Sequence, residues 1–153
     1  MAGLTSALCS TFKKELLEGD HDFNNGADAF KLALFKANAS ITGTHGAATT
    51  NYSDMTGNSD ELANGNGYST GGNTLTNVDP SVSGTTAITD FADTSFTSAT
   101  FTTRGCLIYN SNDSNSAVMV IDFGGDYTVT GAHLLSHSQL QMHQTQLLEL
   151  HKE

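Results

Sequence analysis

Residues 97–123, TSATFTTRGCLIYNSNDSNSAVMVIDF, decide the fold because they have the pattern of a buried β-hairpin. In the first half, Ala99, Phe101 and Thr103 alternate with polar residues before an apolar run begins at Cys106. A polar turn follows, and the return run over 117–123 is apolar or β-branched at almost every position. Alternation is typical of a half-buried strand, and an unbroken apolar run is typical of a strand covered on both faces. The residues expected in the core are Phe101, Leu107, Ile108, Val118, Val120 and Ile121, with Leu32 and Leu34.

The composition allows one domain and argues against several kinds of partner. The chain has 153 residues, enough for one hydrophobic core, and its six Lys and Arg against sixteen Asp and Glu give a formal charge of −10. Binding to a phosphate backbone or an anionic lipid surface depends on cations, so we expect neither nucleic acid nor a membrane as a partner. Charged residues make up only 14% of the chain, which leaves Thr, Ser, Asn and Gly to form the surface.

The two cysteines, Cys9 and Cys106, lie far apart and form no CxxC pair, so we expect buried free thiols. No stretch approaches the ~20 apolar residues of a membrane helix, and the first residues lack the pattern of a secretory signal. These features predict synthesis and folding in a reducing cytosol.

The rest of the chain predicts one helix followed by short strands. Apolar residues spaced four apart predict an amphipathic helix over 3–18, ended by Gly19, with Leu17 widening its apolar stripe. Strands are predicted over 30–36, 41–42, 68–78 (interrupted by glycine and broken by Pro80) and 85–91, with a helical turn within 54–62. Because no helix is expected between these strands, we predict a mainly β fold, an antiparallel β-sandwich or barrel-like domain with one N-terminal helix. The predicted parts are an N-terminal helix packed on the domain (1–20), a β-domain (21–130) and an atypical C-terminal tail (131–153).

A calcium loop is one interpretation of the residues after the helix. Asp20, Asp22 and Asn24 have the alternating spacing of the first ligands of such a loop. Asn25 then stands where glycine makes the turn, and Lys31 where a glutamate closes the site. We therefore expect a solvated Asx-rich turn.

No other pattern indicates a reaction centre. His21 and His45 have no nucleophile beside them, and Gly71-Gly72 and Gly124-Gly125 lack the lysine and the strand–helix setting of a phosphate loop. We expect no enzyme, no catalytic, cofactor-binding or metal-ligating residues, and no cofactor.

Five segments in order give the chain a family resemblance. They are FKLALF (30–35), TTNYS (49–53), GYSTGGNTLT (67–76), TRGCLIYN (103–110) and IDFGGD (121–126). This order resembles a small virion-associated protein of tailed bacteriophages, especially those of marine and cyanobacterial phages, over about residues 6–130. The resemblance implies a virion location, synthesis in the cytoplasm of a bacterial host, and a non-enzymatic role.

Two functions are consistent with this resemblance. The first is a capsid decoration, cement or accessory subunit in many copies, whose partners are the major capsid protein or tail proteins and other copies of itself. The second is a module of the tail or fibre that binds host-surface carbohydrate through Tyr52, Tyr68 and the Asn-rich loops. The absence of Trp disfavours the second function.

The composition changes abruptly after Thr130. The first 130 residues contain no glutamine, whereas the tail contains four, together with four of the six histidines. The codons that could encode residues 131–153, when read in another frame, encode a sequence like the closing strands of the resembled family. Our hypothesis is therefore that this tail is a frameshifted reading. We then expect a helix or disorder packed poorly on the domain, with a sheet edge left open beside 122–129. The spacing of His133 and His137 fits a helical metal pair, but a tail read out of frame removes its significance.

Overall fold

The chain folds into a mainly β structure, which a computed structural model describes for residues 2–141 and 147–152. The strands are β1 (Gly3–Leu4), β2 (Ala7–Leu8), β3 (Phe30–Leu34), β4 (Thr44–His45), β5 (Asn73–Thr74), β6 (Asn77–Ser83), β7 (Thr86–Asn110), β8 (Ser116–Gln141) and β9 (Leu147–Lys152). The helices are α1 (Ser10–Glu18) and α2 (Tyr52–Gly57), with a 3-10 turn at Asn38–Ser40. Within the described ranges, no helix has the length and apolar character needed to cross a membrane. The predicted class, mainly antiparallel β with an N-terminal helix, is confirmed.

β7 and β8 form the predicted hairpin around a turn at 111–115. Leu107 lies opposite Val120 and Ile108 opposite Met119, so the two apolar runs pair with each other. Both strands are much longer than predicted, because the pairing continues away from the turn until Ile88 lies opposite Gln141. Several β-bulges interrupt this ladder, and each bulge bends the strand and increases its twist.

Other strands add to the two ends of this hairpin. Near the turn the sheet order is β2-β8-β7-β3-β5, and at the far end β6 pairs with β7 while β9 pairs with β8. A separate two-stranded pair joins β1 to β4 in parallel. The mainly antiparallel class therefore includes one parallel pair, and α2 overlaps the helical turn predicted within 54–62.

The core lies where the central hairpin meets β3 and α1. All eight residues expected there are buried: Phe101, Leu107, Ile108, Val118, Val120, Ile121, Leu32 and Leu34. Aromatic rings extend this core. The ring of Phe23 stacks on that of Phe30 with centroids 4.4 Å apart, and the ring centroid of Phe91 lies 5.5 Å from that of Phe30. Phe12 of α1 meets Phe23 edge-on at 6.1 Å, which fixes the helix against the sheet.

The N-terminal helix is shorter than the predicted range 3–18. Residues 3–4 and 7–8 are strands, because Ala7 and Leu8 pair with Val120 and Met119 of β8. The apolar residues spaced four apart therefore lie in three elements, β1, β2 and α1, and α1 begins only at Ser10. Gly19 ends the helix at φ 84° as predicted, whereas Leu17 is 90% exposed and does not widen the buried stripe.

The segment between β3 and β7 is less regular than predicted. The predicted strand over 68–78 contains only β5 and the first residues of β6, since Gly71 and Gly72 adopt positive φ of 90° and 74°. A Cβ at Gly72 would lie 1.8 Å from the carbonyl oxygen of Leu32, so glycine is required there. Pro80 does not break a strand but lies inside β6, where the ladder shifts register between Val78 and Ser81. Residues 41–42 are not a strand, whereas the helical turn appears as α2.

The tail does not form the expected helix. β8 continues through 131–141 in pairing with β7, and β9 pairs with β8 so that Leu134 lies opposite Lys152. Leu134 is buried, and residues 142–146 lie outside the described ranges. The described part of the tail is therefore strand rather than helix, and the frameshifted origin of the tail stays a hypothesis.

Truncation of Ile108 tests whether the hairpin is the core. Ile108→Ala removes a side chain that is 4% exposed, so the free energy of unfolding should fall by ~2–5 kcal/mol. Leu17→Ala, at a leucine that is 90% exposed, is the control and should change stability by less than about 0.5 kcal/mol. Urea unfolding of both variants measures this, and equal losses would show that the hairpin is not central.

Candidate functional site

The calcium-like segment after α1 forms a hydrogen-bonded turn. Asp22 accepts from the backbone N–H of Asn24 at 3.0 Å and from its side-chain amide at 2.7 Å. The N–H of Asp22 donates to Asp28 at 2.9 Å. This is the Asx-rich turn expected from the sequence.

His21 is the buried centre of a polar cluster that joins α1 to the hairpin turn. One potential ligand atom each of Glu15, His21 and Asp113 lies within 4.8 Å of the others, which is a spacing that suits a metal ion. His21 Nε2 lies 3.1 Å from Glu15 Oε2, and Nδ1 lies 2.9 Å from the amide nitrogen of Asn110. Sequence reasoning missed this cluster because its members come from two segments, 15–21 and 110–113, that lie far apart in the sequence.

The hydrogen bonds of Asn110 disfavour a metal ion in this cluster. Its Oδ1 accepts from the backbone N–H groups of Asn112 and Asp113, so its amide nitrogen must be the group that faces His21. His21 Nδ1 therefore accepts, and the ring hydrogen lies on Nε2, where it donates to Glu15. A metal at Nε2 would move that hydrogen to Nδ1, against the N–H of Asn110. The cluster is best described as a structural hydrogen-bond network.

His45 and Asp60 form a second buried pair. His45 Nε2 lies 2.7 Å from Asp60 Oδ2, and neither side chain is more than 1% exposed. Asp60 also accepts from the backbone N–H groups of Thr42 and Gly43, both at 2.7 Å. Burial raises the pKa of the Asp60 carboxyl, but the hydrogen bonds from His45, Thr42 and Gly43 outweigh burial and bring it below its usual value. The pair thus holds the loop around Thr42 on the core.

Glu61 is the centre of a third network, the Glu61 cluster, formed with Tyr52, Tyr68 and Gly71. The carboxylate accepts from the hydroxyls of Tyr52 at 2.6 Å and Tyr68 at 2.7 Å, and from the N–H of Gly71 at 2.6 Å. Burial, together with the hydrogen bond to Glu61, raises the pKa of both tyrosines, so both hydroxyls remain donors. The cluster attaches α2 and the glycine loop to the end of β3, because the Tyr68 hydroxyl also accepts from Leu34 N–H.

These contacts occupy the tyrosines proposed for carbohydrate binding. Tyr68 is 2% exposed, so its ring is not accessible to a sugar. Tyr52 stacks on Tyr109 with ring centroids 4.6 Å apart, and Tyr109 donates to the carbonyl of Gly71. The alternative in which Tyr52 and Tyr68 serve a carbohydrate site loses support, because the ring of Tyr68 is buried and one face of Tyr52 is covered.

The remaining candidate residues are the two cysteines, the second glycine pair and two histidines of the tail. Cys9 and Cys106 are buried and unpaired as predicted, and burial raises the pKa of the Cys9 thiol to about 12. Gly124 and Gly125 lie in a bulge of β8, where Arg104 pairs with Asp122 and Gly124 N–H donates to the same carboxylate. The side chains of His133 and His137 lie outside the described residues, and their backbone belongs to a strand rather than a helix.

One accessible feature is an open region of the sheet that is uncharged over residues 127–132. On the edge of β8 away from β7, residues 119–120 pair with β2 and residues 134–139 pair with β9. Between them, no described strand pairs with residues 123–133 on that edge. This agrees with the open edge expected beside 122–129. Alternate residues here, Phe101 and Val129, face the core, so one outward face carries a group of threonines: Thr100, Thr102, Thr128 and Thr130. The hydroxyls of Thr102 and Thr128 lie 2.8 Å apart.

Comparison of the chain with protein-family models, curated proteins and solved structures finds no match. The function must therefore be inferred from the residues and their geometry. Three buried networks hold loops on the sheet, and the open β8 region is an accessible surface with unpaired strand backbone.

Removal of one hydroxyl tests the Glu61 cluster. Tyr68→Phe leaves Leu34 N–H without its acceptor and Glu61 without one donor, so the free energy of unfolding should fall by ~1–3 kcal/mol. Tyr127→Phe, at a tyrosine that is 40% exposed, is the matched control and should be nearly neutral. Urea denaturation compares them, and a neutral Tyr68→Phe would mean that the cluster does not stabilise the fold.

Acid titration tests the His45–Asp60 pair. The folded-state pKa of Asp60 is depressed, so its contribution is present above the unfolded-state pKa of about 3.9 and is lost as pH falls through the lower folded value. Asp60→Asn cannot titrate, so it should be less stable at pH 7 and lose less further stability in acid. Parallel stability curves for the two proteins between pH 7 and pH 2 would contradict this assignment.

Proposed function

We propose that the protein is a non-enzymatic structural component of a tailed-phage particle, a capsid decoration or accessory subunit present in many copies. The order of five sequence segments supports this proposal, since it resembles a family of small virion proteins. The segments 30–35, 103–110 and 121–126 contribute to the central sheet, and 49–53 and 67–76 contribute the donors to Glu61. The resemblance therefore covers the parts of the chain that build the core and hold loops on it.

The observation that carries the proposal is the contrast between buried polar networks bonded within the chain and an open sheet surface that is uncharged over residues 127–132. Buried polar groups at His21, Asp60 and Glu61 are bonded to partners within the chain, which suits a scaffold. The outward threonine face and the unpaired stretch of β8 can dock by shape and backbone hydrogen bonds. These are the contacts by which repeated subunits with few charges associate.

The second hypothesis is a tail or fibre module that binds host-surface carbohydrate. The buried ring of Tyr68 and the stacked ring of Tyr52 weaken it, because such modules present aromatic faces to solvent. The polar turn at 111–115 remains available to that hypothesis, but Tyr52, whose N–H donates to Asn115 of this turn, keeps at most one ring face beside it. We therefore favour the first function.

Copy number in purified particles tests the proposal. Quantitative mass spectrometry should find the chain at on the order of hundreds of copies, because decoration and accessory subunits follow capsid symmetry. The chain should also stay bound in moderate salt, since a protein with few charged residues docks through apolar and hydrogen-bonded contacts. A handful of copies would favour the tail module, absence from the particle would refute both hypotheses, and release by salt alone would indicate electrostatic docking instead.

A further inference from the structure

The backbone of β8 beside the threonine face points hydrogen-bonding groups away from the sheet. Thr100 N–H donates to Asn66 on the side of β7 away from β8, so Thr100 and its opposite residue Thr130 do not bond to each other. Alternation in an antiparallel ladder gives the same orientation to Thr102 and Thr128. Their hydroxyl contact of 2.8 Å agrees, because side chains are closer in such pairs. The N–H and C=O groups of Thr128 and Thr130 therefore face the open edge.

We propose that this edge, residues 127–131, is the site at which a second copy of the same chain pairs with β8 in an antiparallel orientation. The two strands would be related by a twofold axis at Val129. Thr128 of one copy would then exchange backbone hydrogen bonds with Thr130 of the other, and Thr130 with Thr128. This inference deepens the proposed function and rests on it, since it names the contact between neighbouring subunits.

The chain itself limits the register to this one. If Thr128 lay opposite Thr128 of the second copy, Thr130 would lie opposite the bulge at 123–126. If Thr130 lay opposite Thr130 of the second copy, Thr128 would lie opposite residues beyond the bulge at Gly131. Gly131 has φ 62° and is not extended, so it cannot continue the ladder. Only the register centred on Val129 uses the outward groups of both threonines in both copies.

Charge and side-chain size agree with an antiparallel second copy. Residues 127–131 carry no charge and no proline, the features that usually protect an edge strand. The acidic residues Asp122 and Asp126 lie on one side of this stretch, so an antiparallel pair keeps them at opposite ends, whereas a parallel pair would align them. Tyr127 would come next to Gly131 of the other copy, which has no side chain to displace the ring.

The contact is short and should be weak for an isolated pair of molecules. Bulges on both sides of 127–131 bend the strand away, and Arg104 with Asp122 holds one of these bulges in place. A stable dimer buries on the order of 1,200–2,000 Å², more than a strand of this length provides. The pairing would therefore contribute where a particle already holds many copies close together.

Register-specific cross-linking in the purified full chain tests the proposal. Thr128→Cys and Thr130→Cys are both at exposed positions, and they would face each other across the pair at a distance that a disulfide spans. At high protein concentration and mild oxidation, a mixture of the two variants should form a covalent dimer. Each variant alone should form at most a tenth of that amount, because identical positions are diagonal neighbours about 7–8 Å apart.

A mixture of Thr100→Cys and Thr102→Cys is the matched control, since both residues share the threonine face but lie on β7, one strand away from the edge. This control should give no dimer, and unchanged circular dichroism would show that all four variants fold. No dimer in the 128/130 mixture, or equal amounts in single variants and control, would overturn the proposal. Particle copy number is measured separately, so many copies without the cross-link refute only the pairing, and the cross-link in a chain absent from particles refutes only the proposed function.

Discussion

The antiparallel pairing of β7 with β8 is the interaction on which the rest of the structure depends. Its register places Leu107 opposite Val120, and a shift by one residue would move each side chain of the shifted strand to the opposite face of the sheet. β2, β3, β6 and β9 all pair with one of these two strands, and α1 packs its Phe12 on the aromatic cluster beside them. An error in the hairpin would therefore displace every other strand of the main sheet.

Buried carboxylates hold the long irregular segment between β3 and β7. Asp60 and Glu61 are neighbours in sequence, yet each has its own set of donors: His45 with two backbone N–H groups for Asp60, and two tyrosines with Gly71 N–H for Glu61. A buried charge is tolerated only when its oxygens are hydrogen-bonded, so these donors are a requirement of the fold. In this way side-chain networks provide the order that regular secondary structure does not.

The bulges of β8 separate the buried part of the sheet from the accessible part. Around Arg104 the ladder shifts from Gly105 opposite Asp122 to Thr103 opposite Tyr127, and the strand changes direction. The pairing of β2 with β8 stops at Val120, and the pairing of β9 with β8 starts only at Leu134. The open edge is thus a consequence of where the partners of β8 stop, and the low charge of 127–131 makes it suitable for pairing with a neighbour.

The sequence by itself determined the class, the central hairpin and its buried residues, because alternation and apolar runs report directly on local burial. It also determined the end of α1 at Gly19, whose positive φ is a local backbone requirement. Only the tertiary structure decided that Ala7 and Leu8 form a strand, that the tail continues β8 and that Asp60, Glu61 and His21 are buried with partners. Those features depend on contacts between distant segments, and the same leucine spacing or the same carboxylate is compatible with several structures until the partner is known.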